Sequence, residues 1–345
     1  MGDPVAEKMD EAAAAQRLMD MAIDHWRAEL MLQAAEMGLA DKFTGDEPRT
    51  ATELASEYGM RHRELYRYLR ALTGIGILEF AGKDSFRLTE LGAALRTGAP
   101  GAARSAFIAL VGDMVKPAWK EFDHGLFTGD TGFEKAHGKS LFEYLRDNPG
   151  MATFFSETMV GFHGREPPAV AEAYDFSGIG SLVDVGGATG NMLGHVLSRH
   201  PGVRGVLYDL PHVVADAPPL LANHGVADRV TVESGSFFES VPAGHDAYLL
   251  SHIIHDWDDG ENATILGNVR EAMKPDGKLL IVEMVLPEGD APHMGKMLDM
   301  MMMLVPGGEE RTAAEYAELL EPNGFRVTRV VPTASPVSVV EAVRA

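Results

Sequence analysis

The chain predicts an α/β protein: a helical N-terminal part followed by a C-terminal half built on a seven-stranded, mostly parallel sheet. Three observations carry this. After Phe176, short apolar runs alternate with helix-patterned stretches, the rhythm of strand–helix–strand units. Before it, apolar residues recur at three- and four-residue spacing. Between the two regimes, Ser181-Leu182-Val183-Asp184-Val185-Gly186-Gly187-Ala188-Thr189-Gly190-Asn191 reads as a buried strand, a glycine turn and a helix start.

The N-terminal Met1-Gly2-Asp3-Pro4 is acidic and has neither the basic nor the apolar region of a signal peptide. Residues 11–37 pattern as an amphipathic helix through Leu18, Met21, Ala22, Trp26, Leu30 and Ala34, stopped by Gly38. A second helix is expected over Thr52–Tyr58, with Thr50 as N-cap and Glu53 closing a capping box. A third runs from Arg63 to Leu72, and a hairpin follows through Gly74–Phe80 and Ser85–Thr89. This is the order of a winged helix. It suits either DNA binding through Arg61–Arg70 or a structural, dimerising module, and the charge balance favours the second.

From Pro100 to about residue 173 the chain is expected to be helical and rich in aromatics, some in the core and some lining a cavity. Strands are then expected at 181–185, 204–209, 229–233, 246–250, 278–284, 325–331 and 337–343. Helices fall at 190–199, 212–223, 261–273, 293–304 and 312–322. The domain boundaries that follow are 1–100, 101–173 and 174–345.

The 51 acidic and 30 basic residues leave a formal charge of −21, which repels nucleic acid phosphate. There is no cysteine, so disulfides, thiolate metal sites and a cysteine nucleophile are excluded. No uninterrupted apolar stretch is long enough to span a membrane. A cytoplasmic enzyme acting on small molecules is the expectation.

Ligands of parallel sheets bind outside the carboxyl ends of the strands, and each motif falls at such an end. The Gly186, Gly187, Gly190 spacing departs from the dinucleotide fingerprint, leaving a nucleotide cradle of open type. Asp209, 23 residues after Gly186, is at the distance where an acid accepts from ribose hydroxyls. Gly235-Ser236-Phe237-Phe238 offers a turn with two aromatics, for an adenine or for the core. In Ser251-His252-Ile253-Ile254-His255-Asp256-Trp257, His255 at a strand end is placed as a general base or as a structural histidine. A zinc site on His252 and His255 is disfavoured: no third ligand stands at a suitable spacing, and in an extended segment the two face apart. Glu283 and Glu310 are acids able to orient the His255 imidazole and stabilise its charge. Met297, Met300 and Met301 share a helix face with Leu304, either as pliable core or as a pocket wall.

Taken in order, Leu182–Gly187, Leu207-Tyr208-Asp209-Leu210-Pro211, Gly235–Phe238, His255-Asp256-Trp257 and Pro306–Thr312 resemble the small-molecule O-methyltransferases of plant phenylpropanoid and bacterial antibiotic pathways, class I enzymes dependent on S-adenosylmethionine (SAM). The resemblance covers nearly the whole chain. It implies a Rossmann-like SAM-binding domain, a winged-helix-like dimerisation domain, a helical pocket roof and a homodimer. It implies SAM contacts by Asp184, Gly186, Gly187, Asp209, Leu210, Ser236, Phe237 and Ser251. It implies His255 as general base between Glu283 and Glu310, and an acceptor pocket lined by Phe155, Met159, Met297, Met300 and Met301. Ala188 stands where the family carries a glycine, Ser236 where an aspartate is common, and Ser251 where plant members carry lysine. The reaction implied is methylation of a phenolic hydroxyl, with no metal required. The rivals are a non-methylating use of SAM on the same fold, and a ligand-responsive DNA-binding regulator.

Overall fold

The computed structural model describes residues 10–345. The acidic Met1–Pro4 stretch lies outside the described residues. The chain forms two compact units. One comprises the described residues up to Pro117 together with Leu145–Phe162; the other comprises Ala118–Tyr144 and His163–Ala345. The helical segment expected over 101–173 is therefore divided between them.

In the first unit a helix spans Glu11–Glu36, opened by the Asp10 side chain, which accepts from the Ala13 amide at 2.8 Å. Only Leu32, Ala34 and Ala35 of this helix are buried, while Leu18, Met21 and Trp26 are 67%, 55% and 64% exposed. The apolar stripe read from sequence thus exists, but most of it is left exposed by the described residues. Gly38 ends the helix in the left-handed region at φ +60°. The capping box forms as expected: the Thr50 hydroxyl accepts from the Glu53 amide at 3.1 Å and Glu53 Oε2 from the Thr50 amide at 2.9 Å. Helices Ala51–Tyr58 and His62–Gly74 lead into β2 (Leu78–Gly82) and β3 (Ser85–Leu88). A short β1 (Arg49–Thr50) joins them in the order β1-β3-β2, one strand more than the expected hairpin. Leu54, Leu69, Leu72 and Phe86 fill this module's core. The helix Pro149–Phe162 crosses the start of the helix Ala103–Leu110 closely: a Cβ on Gly161 would lie 2.3 Å from the Ala102 Cβ.

The second unit is organised by seven strands: β4 (Ser181–Val185), β5 (Arg204–Asp209), β6 (Val230–Ser234), β7 (Ala247–Ser251), β8 (Lys278–Glu283), β11 (Phe325–Pro332) and β12 (Ser338–Arg344). Their order is β11-β12-β8-β7-β4-β5-β6, with β12 antiparallel to both its neighbours, β11 and β8, and the remaining pairs parallel. Alternate residues face opposite sides, so one strand feeds two cores. Leu182 and Leu249 pack on one face; Val183, Tyr248 and Leu250 pack on the other. A separate pair, β9 (Val285–Leu286) and β10 (Arg311–Thr312), runs parallel and ties Arg311 to Val285. The single helix expected over 212–223 is two short ones, Pro211–Val214 and Ala217–Asn223, broken at Asp216. Pro218 and Pro219 lack amide donors, so they are tolerated only in a first turn and force a new start. No helix among the described residues is long and apolar enough to cross a membrane.

Near the far end of the sheet, buried Glu341 accepts from Thr328 at 2.6 Å, from Arg329 at 2.9 Å, from Lys278 at 3.1 Å and from the Tyr174 hydroxyl. Burial opposes its charge, but these donors outweigh it and hold the carboxyl at about 2. Because the folded value lies below the ordinary glutamate value, the stabilisation is present above about pH 4.3 and is lost as pH falls through about 2. Glu341→Gln should cost on the order of 2 kcal/mol at neutral pH. The difference from the parent in urea unfolding should shrink as pH is lowered from about 4.

Candidate active site

The carboxyl ends of the parallel strands β4, β5, β6, β7 and β8 carry the sequence-predicted residues of the second unit to one edge of the sheet. Gly186 leaves β4 at φ +69° and its amide donates to Tyr208 O at 2.8 Å. A Cβ there would stand 2.4 Å from Ile253 Cδ1, and one on Gly187 would stand 2.6 Å from Asp184 Cγ. The glycines are thus demanded by close approach as well as by torsion. Ala188 adopts φ +49°, which disfavours a Cβ, and explains why a glycine suits this position. Its amide donates to Asp209 Oδ2 at 2.9 Å, while the Leu210 amide donates to Oδ1 at 2.7 Å. These bonds fix the Asp209 carboxylate at the end of β5, and each oxygen retains acceptor capacity for a ribose hydroxyl. Burial raises the Asp209 pKa against those two amides.

Asp184 is 1% exposed and lies beneath Gly187. Burial pushes it up to about 7, against a weaker pull from the Leu193 amide. Ser236 uses its hydroxyl to accept from the Phe238 amide at 3.3 Å. Phe237 is half-buried, 3.5 Å from where a Gly186 Cβ would be, and its carbonyl accepts from Asn268 at 2.8 Å. Phe237 and Phe238 both meet Trp257, which also stacks on Phe142 at 5.2 Å between ring centroids. Ser251 closes β7 beside Val282. A glycine-lined turn that side chains would fill, together with a carboxylate fixed on the next strand, fits the nucleoside of SAM.

Beyond Ser251 the chain is not extended. His252 takes φ +54° and residues Ile254–Asp256 form a 3₁₀ turn, so the His252 and His255 rings lie 5.1 Å apart instead of facing away from each other. His255 is buried, and its Nδ1 meets Glu310 Oε1 at 2.6 Å. Glu283 acts through another atom: its Oε1 accepts the His255 backbone amide at 3.2 Å, and its Oε2 accepts the Tyr316 hydroxyl. It therefore holds the turn, with Tyr316 holding it. Burial opposes charge on His255, but Asp256, Glu310 and Glu283 together raise its pKa to about 10. Asp256 Oδ1 stands 3.7 Å from Nε2. Burial raises Asp256 and Glu283 in turn, with the imidazole pulling both back.

Glu310 is delivered by three devices. The β9–β10 pairing anchors the residue after it, and Asp299 Oδ1 accepts its amide at 2.9 Å. Gly308 lets backbone meet backbone: a Cβ there would fall 1.9 Å from His255 O. Tyr316, Asp299 and the need for glycine at 308 were not foreseen from sequence. The paired glycines before Glu310 were the available sign of the last.

Of the methionines, Met297 is 67% exposed and Met300 and Met301 are half-buried, while Leu304 is buried against Gly132. The expected common face is graded from solvent to core along the helix Gly295–Leu304. Phe155 and Met159 lie half-buried on the helix Pro149–Phe162 of the first unit.

Residues 119–326 match the family model of the O-methyltransferase domain, and residues 11–98 match that of the O-methyltransferase dimerisation domain. A phenazine O-methyltransferase from Lysobacter antibioticus is 41% identical over 325 residues, covering 94% of this chain and 95% of the relative. An O-demethylpuromycin-O-methyltransferase from Streptomyces alboniger is 38% identical, covering 99% of this chain and 92% of the relative. The structure of a neocarzinostatin-pathway O-methyltransferase, in complex with SAM and 2-hydroxy-5-methyl naphthoic acid, superposes with a TM-score of 0.80 at 31% identity, covering 92% of this chain and 96% of that one.

Two substitutions probe this geometry. Gly308→Ala should displace the His255 turn, lowering turnover at least about tenfold and stability by roughly 1–3 kcal/mol, read by steady-state kinetics and urea unfolding. Glu310→Gln removes one of the charges that hold the His255 proton. Under a base role for His255 activity rises with pH through the imidazole pKa, and with that pKa lowered the rising limb of kcat/KM should move to lower pH. Its plateau should fall, because the imidazolium loses its partner. The chain belongs to the SAM-dependent O-methyltransferase family.

Proposed function

We propose that the protein methylates a phenolic hydroxyl of an aromatic small molecule in bacterial secondary metabolism, with His255 as the general base. One observation carries the assignment: the buried imidazole has Nδ1 engaged by Glu310, which fixes the tautomer and leaves Nε2 to accept a proton. SAM supplies an electrophilic methyl on a sulfonium. A phenol titrates near 10 and is almost wholly protonated at neutral pH, so removing its proton as the oxygen attacks raises the rate. Nε2 takes that proton while the new C–O bond forms in line with the breaking C–S bond. Glu310 and Asp256 stabilise the resulting imidazolium, and Glu283 keeps the 254–256 turn in place through the His255 amide. Base catalysis of this kind contributes about 10²–10⁴-fold.

Asp209, Leu210, Gly186, Gly187, Ser236, Phe237 and Ser251 are our assignments for holding SAM. Asp184 would support the turn from beneath, as its burial suggests. The acceptor-contacting roles of Phe155, Met159, Met297, Met300 and Met301 are proposals resting on the family resemblance. The matched dimerisation domain and the exposed Leu18, Met21 and Trp26 support a homodimer, and we place the enzyme in the cytoplasm. The relatives supply the acceptor class: the compounds in their names, phenazine and naphthoate among them, are aromatic.

His255→Ala should lower turnover about 10²-fold or more toward a phenolic acceptor, with SAM affinity by calorimetry unchanged. Labelled SAM and mass analysis of the product give the second readout. Unchanged turnover in the variant overturns the base; a product altered without a labelled methyl overturns the reaction.

A further inference from the structure

Within the second unit, His163 and Glu166, three positions apart, meet His252, which lies 86 positions beyond Glu166, beside His255. The helix Glu166–Ala173 begins with Glu166, which is only 2% exposed. Its Oε2 meets His163 Nδ1 at 3.0 Å and His252 Nε2 at 2.6 Å, and the two imidazole centroids lie 3.8 Å apart. One ligand atom from each of the three residues lies within 4.8 Å of the other two. We propose that His163, Glu166 and His252 form a binding site for a divalent transition-metal ion of the zinc type.

Two imidazoles and one carboxylate are a donor set that suits such ions. Tetrahedral ligation places donor atoms roughly 3.3 Å apart; the Glu166 contacts at 2.6 and 3.0 Å lie just inside that spacing, and all three donor atoms fall within 4.8 Å of one another. Two further observations point the same way. His252 occupies the left-handed region at φ +54°, a conformation that side-chain-bearing residues rarely adopt. Its Nδ1 is buried with no hydrogen-bond partner, so the network within the chain does not account for this ring. His163 and His252 retain 20% and 14% side-chain exposure, which gives an ion a way in. The site is distinct from the His255–Glu310 pair, and it answers the missing third ligand that spacing alone could not supply to His252.

The test is equilibrium dialysis of the tag-free full chain, stripped with a chelator, against Zn²⁺ alone, with Co²⁺ absorption as a spectroscopic check of ligation. One equivalent should bind, and Glu166→Gln and His163→Gln should each weaken it at least about tenfold, the scale on which even residues outside a ligand set act. Circular dichroism reports whether each variant folds; if Glu166→Gln does not, His163→Gln carries the comparison. Absence of stoichiometric binding overturns the site, as does binding that both substitutions leave unchanged. Loss of binding in Glu310→Gln with Glu166→Gln unaffected places the ion on the base instead and also overturns it.

Discussion

The bond between His255 Nδ1 and Glu310 is the constraint around which the second unit is arranged. A carboxylate and an imidazole are both costly to bury, and only a close mutual bond, supported by further donors, makes the pair tolerable. The two residues lie 55 positions apart, so the fold must deliver both to one point. β7 leads to one and the β9–β10 pairing to the other, and Gly308 lets the two segments touch backbone to backbone. Asp299 holds the Glu310 amide, and Glu283 with Tyr316 holds the His255 amide.

The parallel sheet makes this convergence possible at low cost in chain length. Because β4, β5, β7 and β8 run the same way in register, Val185, Tyr208, Leu250 and Ile281 stand in one row across the sheet. The residues that follow them, the glycine turn, Asp209, the His255 turn and Glu283, emerge together. The glycine turn and the His255 turn are thereby adjacent without any loop having to reach across the sheet.

This is also why so much was readable in the sequence. Strand periodicity and strand-end position are local properties, so the seven strands and the residues at their ends followed from pattern, with bounds within about a residue. Thr50 and Glu53 announced their capping box by spacing alone. What escaped were relations between segments. Glu283 bonds to the backbone of His255 and not to its ring, and no pattern distinguishes those. Tyr316 lies on a helix face that reads as core. The turn at 254–256 reversed the expected divergence of His252 and His255, because a left-handed residue at 252 leaves no signature when it is not glycine or asparagine. His163 and Glu166 precede His252 by 89 and 86 residues, and only the folded chain joins them.

The charge at the site bears on the reaction as well as on the fold. In the proposed reaction, methyl transfer from a sulfonium to a phenol moves one positive charge from the cosubstrate to the imidazole, with the acceptor neutral before and after. The barrier therefore depends on how well the destination accepts that charge. Three carboxylates around His255 lie in a buried site where their attraction is poorly screened, and they are in place before the reaction begins. The same arrangement raises the imidazole pKa in the resting protein. Glu310, Asp256 and Glu283 thus stabilise the product of proton transfer by the interactions that hold the proton in the resting protein. The two demands meet in one pKa, and this is why the pH profile of the Glu310→Gln protein reports on catalysis and electrostatics together.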